Sequence, residues 1–408
     1  MKPLLISTTL PGIAQESSHG IFRRLDMFAE ALKMVSGTFD ALFYVPTHVD
    51  AGREDAYRLE QILQERWQTA VGVTLAQRSP PVEPKGIWSR YFKPALGFHH
   101  VPDYLETSGE EQVKAFDSCL RKNPSFIFAQ RLRCMPPLLL SHEKLPPVFF
   151  DTADIEHIAF KRSIAMPPQW RSKWLLNLQV PAILAGEKRS IALSKKTFVC
   201  SSIEKSLLGE FADIEKVEVV PNAVRIPEKR PLTSDRRLMI LGQYGYAPNR
   251  IGAEYFIDKV WHLVLSQLPD ARLIVAGPAP EKISQFASPP PGVEFTGFVD
   301  DLEELYGSIR VVVCPILSGA GTRVKLVEAA AFGKPIVSTR IGAEGLDFED
   351  GVHALLRDDP AEMAEGCIAL LKDDGLSHRL AEAARRLARE NYESGSVARK
   401  IADIFSAV

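Results

Sequence analysis

Short apolar runs alternate with amphipathic segments along the C-terminal half of the chain. Runs rich in β-branched residues predict strands buried on both faces, at residues 237–242, 271–277, 293–298, 311–316 and 335–339. Apolar residues recur at helical spacing from about residue 249, and again over 301–308 and 322–332. This alternation is typical of a parallel sheet covered by helices on both faces, so we predict a doubly wound α/β domain.

The N-terminal half repeats the pattern less regularly. Candidate strands lie at residues 4–8, 41–45, 126–130, 147–151, 197–201 and 217–221. Residues 21–34 form an amphipathic helical pattern, so a second α/β domain is expected. The charged segment 222–237, with two prolines and no apolar periodicity, predicts the linker between the domains. Two helical patterns, 376–391 and 394–405, end the sequence with a break near Gly395.

Composition and charge exclude several classes of protein. Of the 408 residues, 46% are hydrophobic and 25% are charged, which is ordinary for a globular protein of two or three domains. No window approaches the ~18 continuous apolar residues of a membrane span. The net charge of -2 gives no indication of nucleic-acid binding.

The N-terminus and the cysteines indicate a cytoplasmic location. Pro11, Gly12 and Glu16 interrupt the first apolar run before a signal-peptide core develops. The five cysteines are widely spaced, with no CxxC pair and no Cys/His cluster at metal spacing. We therefore expect a reduced compartment and no structural zinc.

The turn after the strand at 311–316 carries the most informative chemistry. Gly319 and Gly321 allow close approach to a ligand, and the N-H groups that open the next helix suit a phosphate. Arg323 and Lys325 add positive charge, and Glu328 follows where it could accept two hydrogen bonds from a diol such as a ribose. Alternatively, Lys325 and Glu328 form an exposed i,i+3 ion pair and the glycines serve packing.

The run from Pro315 to Leu346, with its Gly-x-Gly-Thr-Arg turn, resembles the donor-binding signature of retaining GT-B glycosyltransferases of family 4. Four further segments carry the resemblance: VVPNAV (219–224), LGQYGYAPN (241–249), ARLIVAGPAP (271–280) and GVEFTGFVDDLEELY (292–306). It covers the C-terminal half; in the N-terminal half it rests on Gly20 and on DTADIEH (151–157).

The resemblance implies a GT-B architecture, with two Rossmann-like domains facing across a cleft. Residues 1–222, joined by a returning C-terminal helix at 392–408, would bind the acceptor. Residues 223–391 would bind a nucleotide-diphosphate-sugar donor. The sugar would be transferred with retention of its anomeric configuration.

The resemblance also assigns roles to individual residues. Glu328 would bind the ribose, and the backbone of Phe298 and Val299 would contact the nucleobase. Gly20 would lie against the phosphates. The donor's diphosphate and sugar would meet Gly319, Gly321, Thr322, Arg323 and Lys325. No DxD pair stands at a matching position, so neither an obligatory metal nor a further cofactor is expected.

Several positions depart from the family pattern; among them, Arg323 stands where a second glycine is common and Ala153 where many relatives have a histidine. Ala320 stands where many members have a glutamate that contacts the transferred sugar. Gln243 and Ile251 stand where an arginine and a lysine commonly clamp the diphosphate. We infer that the positive charge has moved to Arg323 and Lys325, which makes both candidates for catalytic stabilisation of the leaving group.

On the acceptor side, Asp151 and Asp154 follow a strongly apolar strand, where an active-site carboxylate would lie. Asp154 is the catalytic candidate. Either aspartate could instead cap the next helix, because Asp is a favoured N-cap residue. His19, beside Gly20, is either a phosphate or sugar contact or a solvated loop residue.

Two basic stretches are interleaved with aromatic residues. Residues 158–200 hold eight Lys or Arg and one acid, Glu187, interleaved with Trp170 and Trp174. Residues 85–98 (KGIWSRYFKPALGF) show the same mixture of basic and aromatic residues. Such stretches are typical either of contact with an anionic membrane surface or of a solvated basic face whose tryptophans lie in the core, and the sequence leaves both open.

Together these features predict a cytoplasmic glycosyltransferase, peripheral to the inner face of the membrane if the basic stretches bind lipid. It would move a hexose from a nucleotide-diphosphate-sugar onto a glycan or lipid-linked glycan of the cell-surface polysaccharide type. The alternative is a non-catalytic GT-B binding or scaffold protein. A nicotinamide-dependent oxidoreductase is disfavoured, because neither half has a GxGxxG after its first strand with an acid about 20 residues on.

Overall fold

The computed structural model describes residues 2–10, 20–81, 83–166, 168–319 and 321–407. His19 and Ala320 therefore lie outside the described residues. The chain divides into two compact units. Unit 1 comprises Met1–Pro221 and Ser396–Val408, and unit 2 comprises Asn222–Gly395.

Unit 1 is built on a parallel sheet of seven strands in the order β3-β2-β1-β4-β5-β6-β7. The strands are β1 (Leu4–Ser7), β2 (Thr38–Val45), β3 (Ala70–Gln77), β4 (Ile127–Gln130), β5 (Val148–Asp151), β6 (Lys196–Val199) and β7 (Val217–Val219). The helices are α1 (Gly20–Ser36), α2 (Arg53–Trp67), α3 (Pro102–Leu105), α4 (Glu110–Leu120), α5 (Pro136–Leu140), α6 (Glu156–Ile164), α7 (Val180–Leu193) and α8 (Ser202–Gly209).

Unit 2 has a parallel sheet of six strands in the order β10-β9-β8-β11-β12-β13. The strands are β8 (Arg237–Leu241), β9 (Arg272–Ala276), β10 (Val293–Gly297), β11 (Val311–Cys314), β12 (Ile336–Ser338) and β13 (Leu355–Leu356). The helices are α9 (Ala247–Tyr255), α10 (His262–Gln267), α11 (Leu302–Ser308), α12 (Val324–Ala331), α13 (Pro360–Lys372) and α14 (Asp374–Asn391).

The last helix, α15 (Ser394–Ser406), supplies an aromatic residue to the core of unit 1. Phe405 is fully buried, and its ring centroid lies 5.1 Å from that of Phe126 and 4.8 Å from that of Phe149. The same cluster includes Phe28 on α1 and Phe198 on β6. Aromatic rings bury large apolar areas, so this cluster ties α15 to the centre of the sheet.

The predicted doubly wound parallel sheets are confirmed, and the differences from the sequence-based expectation are local. β3 was missed because it is an edge strand whose side chains are mostly half-buried, which weakens the apolar contrast. α12 begins at Val324, two residues later than expected, and Arg323 occupies its N-cap position. α14 and α15 are separated by Tyr392–Glu393, and Gly395 lies inside α15.

In both sheets the strand order reverses beside the first strand of the unit. This topological switch point lies between β1 and β4 in unit 1 and between β8 and β11 in unit 2. Ligands of doubly wound sheets bind outside the carboxyl ends of the strands at this point. The loops that follow β8 and β11 are thus where a ligand of unit 2 is expected. Within the described residues, no helix combines the length and the apolar character that a membrane crossing requires.

Candidate functional site

The loop between β11 and α12 depends on two glycines with positive φ. Gly319 has φ +124° and Gly321 has φ +74°, a conformation that residues with a Cβ rarely adopt. A Cβ on Gly319 would lie 2.9 Å from Nη2 of Arg323 and 3.6 Å from the Tyr246 hydroxyl. Gly319 therefore has a packing role, which is one of the two interpretations that the sequence left open.

Arg323 folds back over this loop. Its Nη1 donates a hydrogen bond of 2.6 Å to the carbonyl oxygen of Gly321, and the residue is only 9% exposed. Because Arg323 is the N-cap residue, with φ -91° and ψ 91°, it does not share the helical spacing assumed from the sequence. The expected placement of Arg323 in the first helical turn was wrong, and its charge lies over the glycine turn.

Lys325, in the first turn of α12, is directed toward the neighbouring loop of the switch point. Its Nζ donates a hydrogen bond of 2.7 Å to Oδ1 of Asn249 on α9. Burial, with a smaller contribution from the charge of Arg323, lowers the pKa of Lys325 to about 8. Glu328 is buried, at 8% exposure. The alternative of an exposed Lys325–Glu328 ion pair was therefore wrong.

Asn249 connects the loops after β8 and β11. Its Nδ2 donates to the backbone oxygen of Gln243 at 2.9 Å, while its Oδ1 accepts from Lys325. Gln243 in turn accepts a 2.7 Å bond from the backbone N-H of Tyr246, which precedes α9. Sequence reasoning included Asn249 in a matching segment but gave it no role, because its partner lies 76 residues away.

Close backbone packing supports the same arrangement. A Cβ on Gly252 would lie 2.5 Å from the carbonyl oxygen of Pro315, so α9 can approach the end of β11 only with glycine there. At the head of the loop, the Asn222 side-chain amide donates a 2.8 Å hydrogen bond to the Thr322 hydroxyl. The predicted donor residues from Gly319 to Glu328 are thus held in one position by unit 2 itself.

Phe298 and Val299 follow β10 at the same carboxyl edge of the sheet, with β9 and β8 between them and β11. Phe298 is 40% exposed, whereas Val299 packs on the core. Gly297 precedes them with φ +67°, and its carbonyl accepts a 2.7 Å bond from the Gly277 N-H. An exposed aromatic ring on a fixed turn has the shape that stacks on a planar base.

In unit 1, Asp151 is a structural residue. It is fully buried at the end of β5 and paired with Arg24 of α1, whose Nη2 lies 2.6 Å from Oδ1. Arg24 also donates to the carbonyl oxygen of Val220 at 2.8 Å. The pair joins α1, β5 and the segment after β7, and α1 begins at the predicted site residue Gly20.

Asp154 is half-buried in the turn after β5. The N-cap position of α6 is occupied by Ile155, so neither aspartate is the N-cap residue of that helix, and this alternative was wrong. Ala153, just before Asp154, has φ +58°. Backbone strain of this kind is concentrated at functional sites, so Asp154 stays the candidate carboxylate of unit 1.

Two residues near Asp154 were missed from the sequence. Glu204 is buried, and burial together with the charge of Asp154 raises its pKa to about 7. Its Oε2 accepts a 2.6 Å bond from the Cys200 N-H, and the S-x-x-E spacing from Ser201 was the signal for this helix start. Arg131, after β4, has φ +72° and lies 3.3 Å from Glu156.

Comparison with known proteins agrees with this architecture. Residues 235–373 match the family described as "Glycosyl transferases group 1". A phosphatidyl-myo-inositol mannosyltransferase of Mycobacterium leprae is 28% identical over 179 residues, which are 42% of this chain and 47% of that protein. The chain spans about half the length of the curated relatives it matches.

Solved structures share the fold over the full length of the chain. The sucrose-phosphate synthase of Thermosynechococcus elongatus superposes with a TM-score of 0.71 at 16% identity, covering 99% of this chain and 98% of that one. HepE of Anabaena, solved in complex with UDP, gives a TM-score of 0.65 at 15% identity, covering 100% of both chains. The chain therefore has a GT-B fold, and its residues 235–373 match the glycosyl transferases group 1 family.

Proposed function

We propose that this protein is a glycosyltransferase that moves a hexose from a nucleotide-diphosphate-sugar to a glycan or lipid-linked glycan, with retention of configuration. One observation carries the proposal. At the switch point of unit 2, a glycine turn, the start of α12 and the charges of Arg323 and Lys325 converge, and Asn249 fixes the position of Lys325. This combination suits a diphosphate.

The comparisons support a nucleotide-sugar donor. A structural neighbour over the whole chain was solved with UDP, and a relative that matches 42% of this chain is named as a mannosyltransferase. Glu328 would accept hydrogen bonds from the ribose, and the turn at Phe298 and Val299 would meet the nucleobase. In unit 1, the role of Gly20 rests on the family resemblance, and that of Asp154 rests on its place after β5 and beside the positive φ of Ala153.

In the proposed reaction the bond between the anomeric carbon and the diphosphate oxygen breaks, and the electron pair leaves with the diphosphate. The acceptor hydroxyl forms the new bond on the same face and passes its proton to the departing diphosphate oxygen, which lies on that face. Arg323 and Lys325 would stabilise the negative charge that develops on the leaving oxygen, a contribution that fixed positive groups supply without reorganisation. No metal takes part in the proposed step.

The test is donor turnover with UDP-, GDP- and ADP-hexoses, measured first as slow donor hydrolysis and then as transfer to glycan acceptors. Replacing Arg323 with Ala should lower turnover by about 10²- to 10³-fold, as the loss of one charge-stabilising donor does in other active sites. Arg323→Lys should recover part of it. Arg386→Ala, which replaces an exposed arginine on α14 of the same unit, is the control. Equal turnover in the Arg323→Ala and Arg386→Ala variants would overturn the assignment.

A second candidate, a nucleotide-binding protein without transferase activity, is favoured by one observation. Ala320 occupies the position at which many members of the family that this chain resembles carry a glutamate that contacts the transferred sugar. Nucleotide binding without hydrolysis or transfer of any donor would support this candidate. An Ala320→Glu variant that gains donor hydrolysis would identify the missing carboxylate as the cause.

A further inference from the structure

Two basic-aromatic segments that are 79 residues apart in sequence meet on unit 1. Tyr91, in the π-helical turn Trp88–Phe92, is buried, and its hydroxyl accepts a 3.1 Å hydrogen bond from Nε1 of Trp170. The same hydroxyl lies 2.9 Å from Oγ of Ser172. Gln179, at the end of the 3₁₀ turn Lys173–Gln179, donates a 2.9 Å bond to the carbonyl oxygen of Arg90. The two turns pack against each other and form one surface.

Several large apolar side chains of this surface are exposed to solvent. Its most exposed members are Leu96 at 70%, Trp174 at 66%, Trp88 at 63% and Ile87 at 62%. Phe92, Trp170 and Leu178 are also exposed. Trp88 stacks on Phe92 with ring centroids 5.6 Å apart and an interplanar angle of 10°, and both side chains remain exposed to solvent. Clustered exposed apolar residues mark an interaction site.

The charge around these residues has one sign. Residues 83–98 and 161–180 contain seven Lys or Arg and one acid, Glu83. Lys85, Arg90, Lys93 and Arg171 are exposed, and the part of the chain that the structure describes places no acidic side chain in a salt bridge with them. Glu187, the acid noted in the second stretch, is buried and bonded to His157, so it does not offset the surface charge.

We propose that this surface, formed by residues 85–96 and 170–178, binds the surface of a bilayer that contains anionic phospholipid. The tryptophans and aliphatic side chains enter the interface between headgroups and acyl chains, and the lysines and arginines contact the phosphates. An apolar partner protein would not require the uniform positive charge, and a nucleic acid would not require four aliphatic or indole side chains that are more than half exposed. The surface goes beyond the proposed transfer reaction and does not depend on it.

The tryptophans provide a direct measurement on the full chain. Of the five, Trp67 and Trp261 are buried in the two units, and Trp88, Trp170 and Trp174 belong to this surface. Vesicles of phosphatidylcholine mixed with an equal amount of phosphatidylglycerol should sediment the protein, shift its tryptophan emission to shorter wavelength, and allow quenching by brominated lipid. Phosphatidylcholine vesicles alone should bind much less.

Two variants separate the contributions. Trp88→Ala with Trp174→Ala should weaken partitioning to the mixed vesicles by about tenfold or more, since both rings lose their contact with the interface. Lys85→Gln with Lys93→Gln should weaken it roughly fivefold per lysine at low salt, which corresponds to about 1 kcal/mol for each charge near an anionic surface. Tyr57→Ala with Arg58→Gln, exposed residues of α2, is the matched control and should bind as the unchanged protein does.

Three results would overturn the proposal. These are the absence of binding to the mixed vesicles, equal binding by the tryptophan variant and the control, and equal binding to neutral and anionic vesicles. A fourth would assign the surface to a second copy of the chain, namely a dimer in solution that the tryptophan variant abolishes while lipid binding is absent. All these measurements are made without donor or acceptor, so their outcome is independent of the proposed enzymatic activity. The replaced side chains are exposed, so the unfolding temperature of the variants should not change. Measuring it verifies that the variants are folded.

Discussion

Nζ of Lys325 and Oδ1 of Asn249 lie 2.7 Å apart and join the two loops of the switch point in unit 2. Lys325 is in the first turn of α12 and Asn249 is near the start of α9. The bond holds a positive charge at the place where a doubly wound sheet binds its ligand. The first three predictions concern this arrangement and the ligand that we propose for it.

Replacing Asn249 with Ala should weaken binding of nucleoside diphosphates about three- to tenfold, because Lys325 loses its acceptor and one net hydrogen bond is worth about 0.5–1.5 kcal/mol. Isothermal titration of the protein with UDP, GDP and ADP measures the effect. Asn391→Ala, which removes an exposed side-chain amide bonded to Asp347 in the same unit, is the control. Unchanged affinity in the Asn249 variant would show that this bond does not position the charge.

Binding of a nucleoside diphosphate should weaken as the pH rises above about 8. The pKa of Lys325 is lowered to about 8 by burial, so above this pH the free protein loses the charge that the diphosphate needs. The limiting dependence is about tenfold in affinity per pH unit for one proton. Affinity measured from pH 7 to pH 9.5 should bend near pH 8 in the unchanged protein.

Lys325→Arg provides the control for this pH dependence, because arginine stays protonated throughout the range. Its affinity should stay nearly constant from pH 7 to pH 9.5, whatever its absolute value. A bend of the same size in the Lys325→Arg variant would assign the titration to another group. Lys325→Met should bind weakly at every pH.

Replacing Glu328 with Gln should remove the preference for ribonucleotides. The buried carboxylate can accept two hydrogen bonds from a ribose diol, and hydrogen bonds to charged groups contribute about 1.5–3 kcal/mol, or roughly 10- to 100-fold in affinity. The comparison is the affinity for a nucleoside diphosphate against its 2′,3′-dideoxy analogue. Glu365→Gln, on the exposed face of α13, should keep the preference. A Glu328 variant that still prefers the ribonucleotide would contradict the assignment.

Asp151→Asn should destabilise unit 1 by about 3–5 kcal/mol, because it leaves the Arg24 guanidinium buried without its counter-charge. A double variant, Arg24→Met with Asp151→Leu, should recover much of this loss, since it buries no charge. Urea unfolding of the three proteins measures both effects. If Asp151→Asn abolished turnover while leaving the urea midpoint unchanged, Asp151 would be a catalytic residue and our structural assignment would fail.

Glu204 should make unit 1 less stable as the pH rises from about 5 to about 7. Burial and Asp154 raise its pKa from the ordinary 4.5 to about 7, so in this range the folded chain holds a proton that the unfolded chain has released. Stability falls with pH wherever the folded state binds more protons. Glu204→Gln should flatten this part of the stability profile, whereas Glu210→Gln, exposed after α8, should leave it unchanged. An identical slope in both variants would assign the pH dependence to other groups.

Local sequence was enough to predict the features that a few neighbouring residues determine. The alternation of apolar strands and amphipathic helices predicted both sheets, because burial of a parallel sheet on two faces leaves a continuous apolar run in the sequence. The turn from Gly319 to Glu328 could also be identified from local sequence, because its glycines, charges and helix start lie within ten residues. The edge strand β3 was not predicted, because a strand whose side chains are mostly half-buried lacks that continuous apolar run.

Only the tertiary structure decided which distant residues meet. Lys325 and Asn249 are 76 residues apart, Arg24 and Asp151 are 127 apart, and Tyr91 and Trp170 are 79 apart. Spacing along the chain carries no information about such pairs, because strand order and helix packing bring them together. By itself the sequence determined the fold class and the chemistry of one loop. The tertiary structure showed that Lys325 bonds the side-chain amide of Asn249 and does not form a surface ion pair. It also showed that Asp151 is buried and paired with Arg24, whereas Asp154 is half-buried.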